Sequence, residues 1–258
     1  MTGRIKAISL VALSLFALSA CGGGDSTGAD NPRALALSLS VPGGATLASS
    51  GPAPSAGFPV TFSDADSNTL TFTRVAIVVR EIELKRQFTP DCDNSEAGSD
   101  DSCEKFSTGP ILFELPLDGQ VTQVFSIVVP TDTYDELSFD IHKPSDDTPE
   151  DLAFIQQNQA FADISILAEG TFNSDPFVFT QRLNEEQEIQ LSPPLTVEEG
   201  SAPANLTLEL DIETWFTMGG GLVDPDSAND GGENENGVET NIKNSIDAFR
   251  DDDRSGRR

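Results

Sequence analysis

Basic and metal-ligating side chains are scarce in this chain. It has one histidine, three cysteines, one tryptophan and one tyrosine, and 15 Lys and Arg stand against 43 Asp and Glu. A net charge of −28 repels phosphate backbones, so nucleic acid is excluded as a partner. The same field favours cations, basic partners and solubility. One histidine beside so few cysteines makes a poor zinc site. No apolar run is long enough to span a bilayer as a helix, and there is neither an internal repeat nor a βαβ rhythm. What is abundant is phenylalanine, with 16 residues, which points to a core built on Phe rings.

The chain opens with Arg4 and Lys6, an apolar stretch from Ile8 to Leu18, and the small residues Ser19 and Ala20 before Cys21. A charged start, a short apolar run and small residues at its end form an export signal over 1–20. Leu18-Ser19-Ala20-Cys21 resembles the bacterial lipobox, which implies lipidation of Cys21 and attachment to a membrane through that lipid. Removing 1–20 takes two of the 15 basic residues and none of the 43 acidic ones, so the charge deepens from −28 to −30. Residues 21–33, the lipidated Cys and a Gly-rich stretch behind it, read as a flexible linker. Its 12 residues after Cys21 reach roughly 20 Å as a random coil. Gly22 rather than Asp after the Cys implies, by resemblance to enterobacterial lipoproteins, the outer membrane.

With Cys21 assigned to lipid, Cys92 and Cys103 remain as a natural disulfide pair in an oxidising compartment. Closing the acidic loop between them contributes about 3 kcal/mol by loop entropy. Alternating apolar residues predict strands through 34–216: Leu35 to Val41, Pro59 to Phe62, Leu70 to Leu84, Ile111 to Leu117 and Val121 to Val129 come first. Leu137 to Ile141, Ala162 to Phe172, Pro176 to Leu183, Gln187 to Leu191 and Leu206 to Phe216 follow. In the third, Val75, Ile77 and Val79 share a face and Ile82 and Leu84 change phase, which predicts a bulge near Arg80 and Glu81. Thr148-Pro149-Glu150-Asp151 carries a cap, a proline and first-turn acids, predicting a helix to about Asn158. Short strands with turn signals and one-sided alternation indicate a mainly β fold, an antiparallel sandwich with one or two short helices.

Residues 217–258 read as an acidic Gly/Asn-rich tail, mobile unless tied down. Ile242, Ile246 and Phe249 make a narrow apolar stripe there, predicting a short docking helix. Asp251, Asp253, Ser255 and Gly256 match the opening of a calcium loop. Asp224, Asp226, Asp230, Glu233 and Glu235 are candidates to complete a calcium shell, as are Asp64, Asp66 and Asn68. His142, two residues from Asp140 on one strand face, is expected to point outward, with no nucleophile elbow of the G-x-S-x-G type to accompany it. Tyr134 is expected to pack on the core with its hydroxyl on a loop carbonyl, and Trp215 to sit at the core edge rather than as a sugar platform.

Taken with the lipobox, three segments resemble a group of bacterial lipoproteins carrying a β-sandwich domain of unknown function. They are Leu70-Thr71-Phe72-Thr73-Arg74-Val75 running into Ile82-Glu83-Leu84, Thr133-Tyr134-Asp135-Glu136-Leu137, and Ile189 to Leu195. The resemblance implies an envelope location and an immunoglobulin- or transthyretin-like sandwich, and brings no site residues. The first expectation is a non-enzymatic, lipid-anchored envelope protein that binds a protein or glycan partner or serves structurally. A calcium-dependent adhesion or carbohydrate-binding module is the alternative, and an extracytoplasmic hydrolase the remote one.

Overall fold

The computed structural model describes residues 33–42, 59–87, 103–107, 109–200 and 202–257, with backbone alone at 33 and 103–107. Two sheets pack around one core. The smaller has the order β14 (Ile246–Arg250), β11 (Ala204–Leu210), β1 (Arg33–Ser40), β6 (Thr122–Val129). The larger is built on β3 (Thr69–Arg86), a strand of 18 residues. Its first half pairs with β2 (Val60–Ser63) and β8 (Ile166–Phe172), and its middle with β5 (Ile111–Glu114). Its second half pairs with β7 (Thr133–Ile141) and β4 (Cys103–Ser107). β9 (Asp175–Gln181) flanks β8, and β10 (Glu185–Thr196) flanks β7. The fold is the expected mainly β sandwich, amended in one ladder: β1 and β11 run parallel.

Alternation explains which faces meet. Leu35, Leu37 and Leu39 of β1 and Leu206, Leu208 and Leu210 of β11 are at most 2 % exposed. Facing them, Phe72, Phe177 and Phe179 gather around Phe216, with Phe179 edge-on at 4.9 Å between ring centroids. Each large side chain buried this way contributes about 1.5–3 kcal/mol. The predicted bulge is present: the β3–β7 ladder slips between Arg80 and Glu83, and Glu81 has φ 51°. Ile82 and Leu84 thereby rejoin the core that holds Val75, Ile77 and Val79.

Both sheets are covered on their second faces as well, and this corrects several expectations. α1 (Pro149–Gln157) forms where its cap foresaw, with the Thr148 hydroxyl accepting the Asp151 N–H at 3.1 Å. Phe154 of α1 and Phe161 just beyond pack on Ala76, Val78 and Leu167, on the face of the larger sheet away from the main core. His142 lies beneath this cover at 4 % exposure, so it does not point outward. On the smaller sheet Ser38 and Thr207 are fully buried, although alternation put Thr207 outside. The chain after β14 folds back over them, with Asn205 donating to Asp251 O and Arg254 reaching Gln123.

The tail belongs to the fold. β12 (Thr217–Met218) and β13 (Gly221–Leu222) form a small ribbon, and α2 (Glu235–Asn244) buries Val238 and Ile242. The helix stops at Asn244, so Ile246 and Phe249 lie on β14 rather than on a helical stripe. Pairing with β11 is what wins there: each β14 residue gains a ladder partner, from Leu206–Arg250 to Leu210–Ile246.

The sandwich has two unlike ends. At one, β1 begins, the short turn 130–132 joins β6 to β7, and β3, β10 and β14 finish. At the other lie the β2–β3 turn and the β8–β9 hairpin.

Candidate functional site

The most tightly cross-linked loop cluster of the far end is centred on Asp64. Its Oδ1 accepts the backbone N–H groups of Asp66 at 3.0 Å and Asn68 at 2.8 Å. Its Oδ2 accepts Asn68 Nδ2 at 2.9 Å and the Leu222 N–H at 2.8 Å. The Asn68 amide and the Leu222 N–H hold the Asp64 carboxyl below the usual carboxylate range. Asn68 Oδ1 in turn accepts Asn173 Nδ2 at 3.0 Å, and Asn173 Oδ1 accepts the Thr69 N–H at 2.9 Å. Three connections, the β2–β3 turn, the β8–β9 hairpin and the β12–β13 ribbon, are thus joined through three side chains. Ser67, Asn173 and Ser174 hold left-handed backbone at φ 70°, 50° and 78°. Such conformations cost about 1–3 kcal/mol each outside glycine and persist only where the surroundings fix them. The product is a preset polar surface rather than a set of independent loops.

The tail acids that suggested calcium serve other ends. Asp224 caps the turn Pro225–Ala228 by accepting the Asp226 N–H at 3.0 Å, and Asp230 pairs with Arg182 at 3.3 Å. Asp251, 3 % exposed, has its carboxylate filled by Ser255 N and Oγ on one oxygen and by Gly256 N and Thr207 Oγ1 on the other. Gly256 suits this closure because it sits at φ 68°. Asp253 accepts the Ser255 N–H at 3.2 Å, and Ser255, then Asp251, hold its carboxyl below the usual range. Among the described residues no three His, Cys, Asp or Glu gather to hold a metal ion.

His142 is a clamp. Its Nε2 lies 2.8 Å from Asp151 Oδ1 and its Nδ1 3.2 Å from Asn184 Oδ1, while Asp151 Oδ2 accepts the Ser145 N–H at 3.0 Å. Asp140, expected beside it, pairs with Arg80 instead at 3.0 Å. Ser145 Oγ donates to Asp147 at 2.9 Å, and among the described residues no hydroxyl is hydrogen-bonded to His142. The spacing G-x-S-x-G does occur once, at Gly24–Gly28, in the linker and outside the described residues. Tyr134 matches expectation, its hydroxyl donating to Pro130 O at 3.0 Å, whereas Trp215 lies inside the core rather than at its edge, fully buried and donating to Ser245 Oγ at 2.7 Å. Cys21 and Cys92 lie outside the described residues, and Cys103 opens β4.

Sequence reasoning missed Asp151 as the partner of His142, Asn173 as a loop cross-link, and the Ser38–Asn205–Thr207–Asp251 network. The run of polar residues on the non-leucine face of each strand, Ser38 and Ser40 on β1 and Asn205 and Thr207 on β11, was the signal for the last.

No protein-family model and no curated protein matches the chain. Among solved structures, MbnP from Methylosinus trichosporium is similar over 72 % of this chain and 77 % of its own, with 11 % identity and a TM-score of 0.35. Among the described residues no helix is long and apolar enough to cross a membrane.

Proposed function

We propose that this chain is a lipid-anchored protein of the bacterial cell envelope, a non-enzymatic sandwich that presents a binding surface on a tether. One observation carries the reading: β1 begins at Arg33, where the linker behind Cys21 ends, and the Asp64–Asn68–Asn173 cluster lies at the opposite end of the sandwich. A tether that joins the sandwich where β1 begins and a polar surface at the other end of the sandwich suit a partner approaching from beyond the membrane surface. Multiple acyl chains on Cys21 make such anchoring stable, where one chain alone holds marginally. The lone histidine, locked between Asp151 and Asn184, supports a non-enzymatic role. Gly22 after the Cys supports the outer membrane as the compartment.

The calcium-dependent reading has one foothold, the shared Ser255 N–H between Asp251 and Asp253. The filled Asp251 carboxylate counts against it. Fractionation of cells expressing the natural chain and Cys21→Ser tests the main reading. The natural chain should sediment with membranes and the variant should not; equal sedimentation overturns the anchor.

A further inference from the structure

One side of α2 joins it to β12 and the residues before that strand. Asn241 Nδ2 donates to Trp215 O at 3.2 Å and to Thr217 O at 3.0 Å, while Val238 and Ile242 enter the core. One turn earlier on the same side stands Gly237. Glycine weakens a helix by about 1 kcal/mol against alanine, and packing explains its presence. A Cβ on Gly237 would fall 3.0 Å from Met218 Sδ and closer still to Met218 Cε. The Met218 thioether therefore lies against bare backbone in the first turn of α2. That turn has no side-chain cap, because the Asn234 amide is directed to Ser227 Oγ at 2.8 Å.

Met218 is half-buried, packed in part on the main core and in part open to solvent. Gly219 and Gly220 follow it, both exposed, with φ 62° and 90°. The chain has two methionines, and loss of 1–20 removes Met1 and leaves Met218. Oxidation converts a flexible apolar methionine into a polar sulfoxide, and reductases reverse the change. A sulfoxide oxygen needs water around it, and reaching water swings the side chain away from Gly237.

We propose that Met218 is an oxidation site whose sulfoxide releases α2 and, through the β12–β13 ribbon, loosens the far-end cluster. A hydroperoxide supplies the oxygen. The Sδ lone pair attacks one peroxide oxygen, the O–O bond breaks, and water or an alcohol leaves. Sulfur gives up two electrons and the peroxide takes them. Met218 pairs with Gly221, the neighbour of Leu222, whose N–H the Asp64 carboxylate accepts. Loss of the α2 contact thus reaches the Asp64–Asn68–Asn173 cluster. Use of that cluster as a binding surface rests on the function proposed above, whereas oxidation of Met218 and release of α2 do not.

The test treats the full-length chain in detergent micelles with dilute hydrogen peroxide and reads peptide masses and amide exchange. Met218 should gain one oxygen. Exchange at Val238, Ile242 and Leu222 should rise about ten-fold or more, with core amides of β3 unchanged. Methionine sulfoxide reductases should return both mass and exchange to their starting values. Met218→Leu keeps an apolar side chain of similar size without sulfur, and peroxide should not raise its exchange. Met218 left intact by peroxide that fully oxidises free methionine overturns the proposal. So does natural exchange in the oxidised chain, a peroxide-driven rise in Met218→Leu, or a rise that the reductases fail to reverse. A rise at Val238 and Ile242 without one at Leu222 overturns the coupling to the far end. Membrane sedimentation reads the anchor separately, so its failure and that of the oxidation site are distinguishable.

Discussion

The carboxylate of Asp64 accepts the backbone N–H of Leu222 at 2.8 Å, across 158 positions of sequence. Through this bond the β2–β3 turn holds the β12–β13 ribbon, and with it the start of the tail. Asp64→Ala should free the ribbon while leaving the sandwich folded. Amide exchange at Leu222 is expected to rise about ten-fold or more, with core amides of β3 unchanged. Unchanged exchange at Leu222 would show that the ribbon is held elsewhere.

Acid should act on the same bond. Asp64 is held below its ordinary pKa of 3.8 by the Asn68 amide and the Leu222 N–H. A carboxyl depressed in the folded state contributes stability above its unfolded pKa and loses it as pH falls through the folded value. The stability gap between the natural chain and Asp64→Ala should therefore be constant above about pH 5 and close below pH 3.8. A gap that widens in acid contradicts this.

Asp251 is the buried knot that fastens the C-terminal segment to Thr207. Asp251→Ala leaves the Ser255 and Gly256 N–H groups without their acceptor and should cost about 2–4 kcal/mol in denaturant unfolding. Thr207→Val removes one of the four bonds and should cost about 1 kcal/mol. Because the carboxylate is already filled, calcium should leave the melting midpoint where chelator does. A bound ion at 100 times its dissociation constant would add about 2.7 kcal/mol, and such a shift would restore the calcium reading.

His142 and Asp151 should behave as one unit. Each single change to Ala strands a buried partner and should cost about 2–4 kcal/mol. The double variant should fall short of their sum by about 1–3 kcal/mol. Additive losses would mean that the 2.8 Å contact carries no energy of its own.

Much of this fold was legible because its signals are local. The Thr148-Pro149 cap, the β3 bulge and the Tyr134 hydroxyl bond each depend on residues close in sequence. What covers a strand's second face does not. Thr207 and His142 looked exposed because alternation records two faces and not what lies over them. The partners that bury them carried other readings, Asp251 as the opening of a calcium loop and Asp151 as a first-turn acid of the helix. Phe249 was drawn into a helical stripe because ladder pairing with Thr207 leaves no mark in local spacing. The far-end cluster was partly visible, since Asp64 and Asn68 stood out in their turn, but Asn173 lies 105 residues beyond Asn68.

Packing between β3 and β8 sets a further limit. A Cβ on Gly170 would fall 1.9 Å from Thr71 O and 3.1 Å from Phe177 Cε1. Backbone cannot yield there cheaply, so Gly170→Ala should cost about 1–3 kcal/mol in denaturant unfolding. Gly109→Ala, with nothing within 4 Å of the added carbon, should stay within about 0.5 kcal/mol of the natural chain. Equal effects at the two positions contradict the close approach.

The anchor is tested most directly by intact-mass and peptide mass spectrometry of the natural chain purified from membranes. The account predicts a mature protein that begins at Cys21, with acyl chains on that residue and residues 1–20 gone. An N-terminus at Met1, or a chain cut near residue 20 with an unmodified Cys21, would contradict it.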